Sequence, residues 1–323
     1  MSFYLKKLLS LVVTLFLISI VTFGVFQILP GDPAAIILGP DADPFQLEAL
    51  RQSMNQDAPL LTRYTDWLGN ALTGDLGESF RFHMPVSDLL LSRIPVTTSL
   101  ALITLIFTLL IGLPLGLFIA SHKGPLGKVV SALSGLGIAI PSFWMGILLV
   151  LLFAVTLGLL PSSGYVAFAD NPIGWLKSLL LPGLSIALGT CAVLIRYLKT
   201  AMLDELPKQY VQTARGKGLS EKMVVRKHIF KNALIPTVTI LGMLVIDILG
   251  GSIITENVFN IPGLGNLIIT AINSRDLPLI QALVLYLGTI VVVFNFIVDM
   301  LYSVIDPRIR VKGDNYCLLY TSP

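Results

Sequence analysis

Few side chains in this sequence could take part in bond-making chemistry, and those few are widely separated. The three histidines, His83, His122 and His228, show none of the spacings that hold a metal ion. A membrane enzyme would need a constellation such as Ser-His-Asp or paired metal ligands, and the phosphate-cradling pattern G-x-x-x-x-G-K-[ST] does not occur. The two cysteines, Cys191 and Cys317, cannot supply a disulfide framework. We therefore expect no catalytic residue, no metal and no cofactor bound by this chain, and no ATP hydrolysis by it.

Three carboxylates lie within or at the ends of apolar runs, where ionisable groups are costly and normally functional. Asp247 lies inside one run, Glu256 lies near its end, and Asp299 lies inside the last run. One hypothesis places these acids along a translocation path, where the Asp247 carboxylate would meet a cationic group of a substrate. The alternative pairs them with backbone groups or with a partner subunit during assembly. The residues alone leave both readings open.

A basic segment lies between the fourth and fifth apolar runs. Residues 199–231 hold eight Lys or Arg and three acids. Ala214, Gly216 and Gly218 provide a small-residue surface on which another backbone could pack closely, and Ser220 with Met223 predicts the start of a second helix. A helix, a Gly-rich turn and a helix would suit a cleft on a partner protein. The alternative is a plain positive-inside anchor that interacts with anionic lipid.

Long apolar runs must position these residues. The chain has 323 residues, of which 54% are hydrophobic and only 13% are charged, a composition that a soluble fold could not bury. About 20 residues cross a bilayer as a helix, and the first run is too long for a cleaved signal peptide. We expect an all-α membrane protein with six spans, of which the fourth, with Pro182 and Gly183 inside it, has the weakest sequence signal. The predicted spans are 8–29, 98–120, 131–157, 178–198, 234–255 and 281–305.

The distribution of basic residues predicts the orientation. The N-terminus, the 121–128 loop, the 196–231 region and the C-terminal tail hold 16 of the 22 Lys and Arg residues. Residues 30–97 hold nine acids against four Arg. The positive-inside rule therefore places both termini in the cytoplasm. Residues 30–97 would lie outside as two short helices, which begin at Asp43-Pro44 and after Ala58-Pro59. The net charge of +3 reflects this orientation and carries no nucleic-acid signal.

The basic segment and a series of short motifs resemble the permease subunits of binding-protein-dependent ABC importers, in the dipeptide/oligopeptide/nickel permease family. Gln212-Thr213-Ala214 stands where the general pattern has Glu-Ala-Ala, and this chain lacks the Pro expected after Gly218. The peptide and nickel branch is similar to A-x-x-K-G-L-S, then R-H, then N-A-x-x-P, which residues 214–236 follow with Lys227 in the Arg position. The other matching motifs are Pro30-Gly31-Asp32-Pro33, Gly74-Asp75-Leu76-Gly77, Pro141-Ser142-Phe143-Trp144, Glu256-Asn257-Val258-Phe259, Pro262-Gly263-Leu264-Gly265, Arg275-Asp276-x-Pro278 and Asp306-Pro307-Arg308.

This resemblance implies a type I importer permease, the first of two homologous permeases, in the bacterial cytoplasmic membrane. Its partners would be the second permease, two ABC ATPases that bind ATP and Mg, an external substrate-binding protein and membrane lipid. The implied organisation is a first span (1–29), an outer helical segment (30–97), a five-helix core (98–306) with an ATPase-docking loop (199–233), and a cytoplasmic tail (307–323). The residues implied at the ATPase contact are Ala214, Gly218 and Glu221, with Arg226 and His228 as supports.

The cargo stays open at this level. The family carries dipeptides, longer peptides, glutathione, and nickel or nickel chelates, and peptide is the first choice only because it is the commonest assignment. Import of nickel or a metal chelate is the alternative within the same type of complex. An ion-coupled secondary transporter would also explain six spans and buried acids, but it would not explain the docking-type loop. The last dozen residues match no motif and could be foreign to the natural protein.

Overall fold

The computed structural model describes residues 3–28, 43–53, 58–121 and 124–305. The described residues are almost entirely helical, with one isolated bridge between Glu78 and Pro85. The predicted Pro30–Pro33 motif, the motif at Asp306 and the tail 307–323 lie outside them. The helices are α1 (Phe3–Ile28), α2 (Pro44–Ser53), α3 (Leu60–Thr73), α4 (Val86–Ser121), α5 (Pro125–Ala139), α6 (Ser142–Leu149, continued as a π-helix at Val150–Thr156), α7 (Pro172–Glu205), α8 (Gln209–Gly216), α9 (Glu221–Met223, continued as a π-helix at Val224–Ile229), α10 (Phe230–Val258), α11 (Leu264–Asn273) and α12 (Leu277–Ile305).

Within these ranges, five helices are long and apolar enough to cross a membrane, and a bent pair would make a sixth. The bent pair is α5 and α6, which meet at 108°. The span predicted at 131–157 is therefore a pair of helices with a bend between them. Ile140, which ends α5, has extended backbone with φ −90° and ψ 122°. A residue before proline is pushed out of the helical region, and Pro141 accounts for the break at this point.

Two spans are longer than their apolar runs. Helix α4 begins at Val86 and continues past Asp88 and Arg93, so the last twelve residues of the predicted outer segment belong to this helix. Helix α7 extends over 34 residues and contains Pro182. Charged residues end an apolar run but do not end a helix, because helical hydrogen bonding does not depend on side-chain polarity. The two predicted short helices are confirmed as α2 and α3, and the Asp43 carboxylate accepts the Phe45 N–H at 2.9 Å.

The chain divides into two compact units, Met1–Pro95 with Asn266–Val293 and Val96–Gly265 with Phe294–Pro323. In the second unit, small residues allow α4 and α7 to pack closely. A side chain at Gly112 would meet Leu194 at 2.8 Å, and one at Gly116 would meet Leu198 at 2.8 Å. This Gly-x-x-x-Gly spacing is typical of close packing between membrane helices. Among the candidate spans, α7 has the largest buried share. The predicted fourth span, which contains Pro182 and Gly183, therefore lies at the centre of this unit.

In the first unit, α3 packs on α1 through its aromatic residues. The hydroxyl groups of Tyr64 and Ser19 are 2.7 Å apart. The Phe23 ring lies 5.4 Å from the Tyr64 ring and 5.7 Å from the Trp67 ring. The aromatic side of α3 is therefore packing surface.

Candidate functional site

The first half of the basic segment ends in a glycine-dependent turn. After α8, Gly218 has a φ of +76°, a conformation that glycine adopts without a steric penalty. The Gly218 N–H donates to the Arg215 carbonyl at 2.9 Å, and the Leu219 N–H donates to the Ala214 carbonyl at 3.4 Å. This pair of bonds is the Schellman arrangement that ends many helices. No atom lies within 4 Å of the place where a Gly218 side chain would begin. The glycine is therefore required for the backbone conformation.

The second half of the segment is a helix that leads directly into a span. Ser220 precedes α9, and its carbonyl accepts the N–H groups of Met223 and Val224 at 2.9 and 3.0 Å. The predicted helix start is confirmed, although the Ser220 hydroxyl makes no capping bond. From Glu221 to Val258 the chain stays helical through the π-helical turn at Val224–Ile229. This continuous helix joins the turn at Gly218 to the fifth span.

A small apolar core fixes both halves of the segment to the helices beside them. Ala214 is only 5% exposed, so its side chain faces the interior of its own chain and its methyl group cannot itself form an outer contact. The core joins α8 to the end of α7 and to the start of α10. Its buried members are Leu198, Met202, Val211, Ala214, Val224, Ile229 and Ala233.

A buried carboxylate holds the junction between α7 and α8. Glu205 accepts hydrogen bonds from Lys208 Nζ and from the Tyr210 hydroxyl, each at 2.6 Å. Burial raises the pKa of Tyr210 above its ordinary value, and the hydrogen bond to Glu205 raises it further. The sequence reasoning did not single out these three residues. In the sequence, the only indication of this junction was an acid at the end of the helix with a Lys three residues later.

An exposed ion pair joins the two halves across the turn. Arg215 donates to both carboxylate oxygens of Glu221, from Nε at 3.0 Å and from Nη2 at 2.5 Å. The hydrogen bonds that Arg215 donates to Glu221 hold the pKa of Glu221 below its ordinary value and raise the pKa of Arg215. Glu221 was predicted as a contact residue, whereas its partner Arg215 was missed.

The two other residues predicted for the coupling segment, Arg226 and His228, lie in different surroundings. Arg226 is exposed and lines a cavity of about 640 Å³ beside the end of α4, together with Lys222. His228 is half-buried, and its carbonyl accepts the Asn232 side-chain amide at 2.9 Å. Around the Gly218 turn the structure therefore brings Glu221 to Arg215, the residue that follows Ala214. Arg226 is exposed on the second helix and lines the same cavity as Glu221.

Glu256 forms a buried cluster at the start of α11, named here the Glu256 cluster. Its side chain is 0% exposed. Its carboxylate accepts the Thr97 hydroxyl and the Gly265 N–H, each at 2.7 Å. The Thr97 oxygen in turn accepts the Leu264 N–H at 2.8 Å. A negative group is favourable at a helix N-terminus, so this geometry favours the reading in which Glu256 pairs with backbone.

Close backbone approach makes this cluster possible. A side chain at Gly263 would overlap the Glu256 carboxylate, and one at Gly265 would overlap the Ile253 backbone. The motif Pro262-Gly263-Leu264-Gly265 therefore contains glycines because there is no space for side chains. At Gly218, by contrast, glycine is required for the positive φ.

The other two acids lie in different surroundings from Glu256. Asp247 is exposed on α10. It shares one helical face with three other exposed residues, Met243, Gly250 and Ile254. Asp299 is half-buried on α12. Of the three predicted path residues, Asp247 alone therefore has the exposure that a path residue needs.

A fourth carboxylate, Asp276, forms a second buried cluster, named here the Asp276 cluster. Asp276 is 0% exposed and precedes α12. It accepts the Ser79 hydroxyl at 2.5 Å and the N–H groups of Phe80 and Arg81 at 3.2 and 3.1 Å. It also accepts the Leu279 N–H at 3.4 Å. Sequence reasoning noted this residue only as part of a motif, and its place just before a span was the available signal.

Comparisons with known proteins agree with the motif series. A family described as "Binding-protein-dependent transport system inner membrane component" matches residues 112–311. The N-terminal family of such membrane components matches residues 1–101. A protein of Brucella abortus (strain 2308), provisionally named as a peptide transport system permease, is 41% identical over 307 residues, 95% of this chain and 98% of that protein. The glutathione transport system permease protein GsiC of Escherichia coli (strain K12) is 38% identical over 314 residues, 97% of this chain and 100% of that protein.

Solved structures show the same fold. A chain of the MetNI methionine ABC transporter in an inward-facing conformation has a TM-score of 0.55 at 21% identity, covering 68% of this chain and 96% of its own. A chain of an amino acid ABC transporter has a TM-score of 0.51 at 19% identity, covering 69% and 94%. The resemblance read from the motifs is thereby confirmed. The chain belongs to the family of binding-protein-dependent transport system inner membrane components, as a multi-pass permease subunit of an ABC importer in the bacterial inner membrane.

Proposed function

We propose that this permease forms half of the translocation pathway of an ATP-driven importer of di- and oligopeptides. The names of its relatives support peptide or glutathione as cargo, and both are peptides in chemical terms. None of the relatives described above is named for nickel, so the nickel alternative gains no support from them. Family membership likewise lends no support to an ion-coupled secondary transporter.

One observation carries the coupling part of the proposal. The helix that begins at Glu221, immediately after the Gly218 turn, continues unbroken to Val258. Its first turns are packed against α8 and the end of α7 through the apolar core around Ala214. A displacement of the turn would therefore be transmitted to the fifth span as a rigid-body movement. An importer that is driven from outside its own chain needs such a connection.

The assembly that fits this connection contains several proteins. Two ATPases would bind ATP and Mg and dock on the 199–233 segment, a second homologous permease would complete the path, and an external protein would deliver the cargo. Both termini would then lie in the cytoplasm. We assign the ATPase contact to Gly218, Glu221 and Arg226, with Ala214 and His228 as supports from within.

The exposed face of α10 is our candidate for the wall of the path. Asp247 lies in the middle of this face, between Met243 and Gly250, and it has no hydrogen-bond partner among the described residues. A carboxylate at membrane depth is costly unless it meets a cation or water. The positively charged amino terminus of a peptide would supply that cation.

Reconstituted transport tests the proposal. The tagged permease, expressed with the other subunits of its transporter, should co-purify with an ATPase pair. Proteoliposomes containing the complex and its binding protein should take up labelled dipeptide only with ATP, and unlabelled peptide should compete better than Ni²⁺. If glutathione alone competed with the labelled dipeptide, the cargo would be assigned as glutathione instead. Uptake driven by an ion gradient without ATP would contradict the proposed mechanism.

A further inference from the structure

A second cavity lies away from the Gly218 turn, and only two of its lining residues, Lys199 and Leu203, belong to the 199–233 segment. It has a volume of about 520 Å³ and lies among the end of α4, the start of α5 and the last turns of α7. Two lysines line it, Lys128 and Lys199, and Lys199 Nζ donates to the Ser131 hydroxyl at 3.4 Å. None of the described residues that line it is an acid. The remaining residues that line it are Ile119, Ala120, Gly124, Gly127, Ala132 and Leu203.

The two lysines lack an anionic partner within the described part of the chain. Ser131 is the only hydrogen-bond partner of Lys199 there, and Lys128 has no side-chain partner there. Two cations close to one cavity repel each other, so an anion that binds between them would relieve that repulsion. The charge of the cavity therefore specifies an anionic ligand.

The position of the cavity along the spans identifies where this anion would come from. Lys199 and Lys177 are both on α7 and are 22 residues apart, or about 33 Å along the helix axis. The hydrocarbon core of a bilayer is about 30 Å thick. If Lys177 lies at one surface of the membrane, Lys199 lies at the other, at the depth of the lipid headgroups.

An exposed apolar stripe lies on α5, the helix that carries Lys128. Val129, Leu133 and Leu136 are 54%, 59% and 59% exposed, and their i, i+4, i+7 spacing places them on one side of the helix. Leu136 lies one turn after Ala132, which lines the cavity, so the stripe runs beside the face of α5 that lines the cavity. A cationic cavity next to an exposed apolar stripe matches a molecule with an anionic head and an acyl tail.

We propose that this cavity binds the headgroup of an anionic phospholipid, with its phosphate between Lys128 and Lys199 and an acyl chain along the Val129–Leu136 stripe. The proposal commits to a membrane lipid as the occupant. Free phosphate would not use the apolar stripe. Lipid binding at this cavity is measured separately from transport, so it does not depend on which cargo the importer carries.

The test uses the assembled transporter, purified in detergent and titrated with phosphatidylglycerol, with bound lipid counted by native mass spectrometry. The double substitution Lys128→Gln/Lys199→Gln should weaken phosphatidylglycerol binding by about thirtyfold, since each basic residue near an anionic surface contributes about one factor of five to six. The matched control Lys177→Gln, at the opposite end of the same helix, should change it less than twofold. Phosphatidylcholine with the same acyl chains should bind the wild-type complex more weakly than phosphatidylglycerol.

A charge-retaining variant separates the possible explanations for weaker lipid binding. The substitution Lys128→Arg/Lys199→Arg retains both charges and should retain binding, which separates loss of charge from loss of folding. Equal binding by the wild-type complex and the Lys→Gln double variant would overturn the proposal. Full displacement of the lipid by inorganic phosphate would also overturn it in favour of a free-anion site. Absence of bound phosphatidylglycerol from the wild-type complex would overturn it in favour of a partner subunit that covers the cavity.

Discussion

The buried Glu256 and Asp276 clusters and the exposed Arg215–Glu221 pair of the 199–233 segment use charge in opposite ways. Glu256 and Asp276 are both 0% exposed, and their oxygens accept hydrogen bonds from hydroxyl and backbone N–H groups. The Arg215–Glu221 pair has similarly short bonds, yet the two side chains are 43% and 60% exposed. Removal of a buried partner leaves unpaired groups in a poorly solvated place, whereas an exposed group regains water. The buried clusters therefore maintain the architecture, and the exposed segment is free to interact with other proteins.

The two regions also use glycine for different reasons. Gly263 and Gly265 leave room for Glu256 and for the Ile253 backbone. Gly218 has open space around it and supplies a left-handed turn. A motif rich in glycine can therefore indicate close packing in one place and a required turn in another.

The largest expected effect is the loss of Glu256. Glu256→Ala removes the acceptor for Thr97 and Gly265, so we expect a loss of about 3–5 kcal/mol in stability and little assembled transporter. Asp247→Asn is the contrasting control. It should leave assembly intact because Asp247 is exposed. It should reduce uptake because the carboxylate proposed to meet the amino terminus of the peptide is lost. Size-exclusion chromatography and uptake assays measure both quantities. A Glu256→Ala complex that assembles normally but fails to transport would show that Glu256 belongs to the path after all.

A smaller effect is expected from added volume beside the Glu256 cluster. Gly265→Ala would force its new methyl group against the Ile253 backbone, and overpacking of this kind costs about 1–3 kcal/mol. Gly250→Ala lies in open space on α10 and should be neutral or slightly stabilising. Thermal unfolding of the two purified variants measures the difference. Equal midpoints would mean that the Glu256 cluster is not as tightly packed as described.

The turn in the 199–233 segment should respond to backbone strain. Gly218→Ala places a side chain at a positive φ, at a cost of about 1–2 kcal/mol. We expect weaker coupling of ATP hydrolysis to uptake, with assembly of the permease pair retained. Gly216→Ala, two residues earlier and equally free of neighbours, should behave like the wild type. The ratio of peptide taken up to ATP hydrolysed measures the coupling, and an unchanged ratio in Gly218→Ala would count against this turn as the connection.

The smallest expected effect is that of the exposed ion pair. Because Arg215 lowers the pKa of Glu221 from its ordinary value of 4.5, the pair contributes stability above that value and loses it as the pH falls through the lowered pKa. A double-mutant cycle with Arg215→Gln and Glu221→Gln should give a thermal-midpoint coupling of at most about 2 °C at pH 7. The coupling should shrink in acid. A coupling that grew in acid would contradict the assigned cause.

Much of this architecture could be predicted from the sequence, because apolar runs and basic clusters are direct consequences of the membrane. The extension of α4 back to Val86 was not predicted, since charged residues do not end a helix. The predicted bounds of 131–157 did not show the size of the bend at Ile140, since an apolar run does not show backbone direction. The turn at Gly218 was read correctly from its small residues. The burial of the Ala214 side chain was not predicted, because sequence spacing does not show which side of a short helix is buried.

Site-directed cross-linking tests the central claim most directly. Lys217→Cys places a thiol next to the Gly218 turn, and Asp170→Cys places one in the exposed loop before α7. In intact cells that express the whole transporter, oxidation should join the cysteine at position 217 to an engineered cysteine on the surface of an ATPase subunit. The cysteine at position 170 should instead react with a membrane-impermeant thiol reagent added from outside. Labelling of position 217 from outside, with no cross-link to an ATPase under any oxidant, would contradict both the proposed orientation and the proposed coupling.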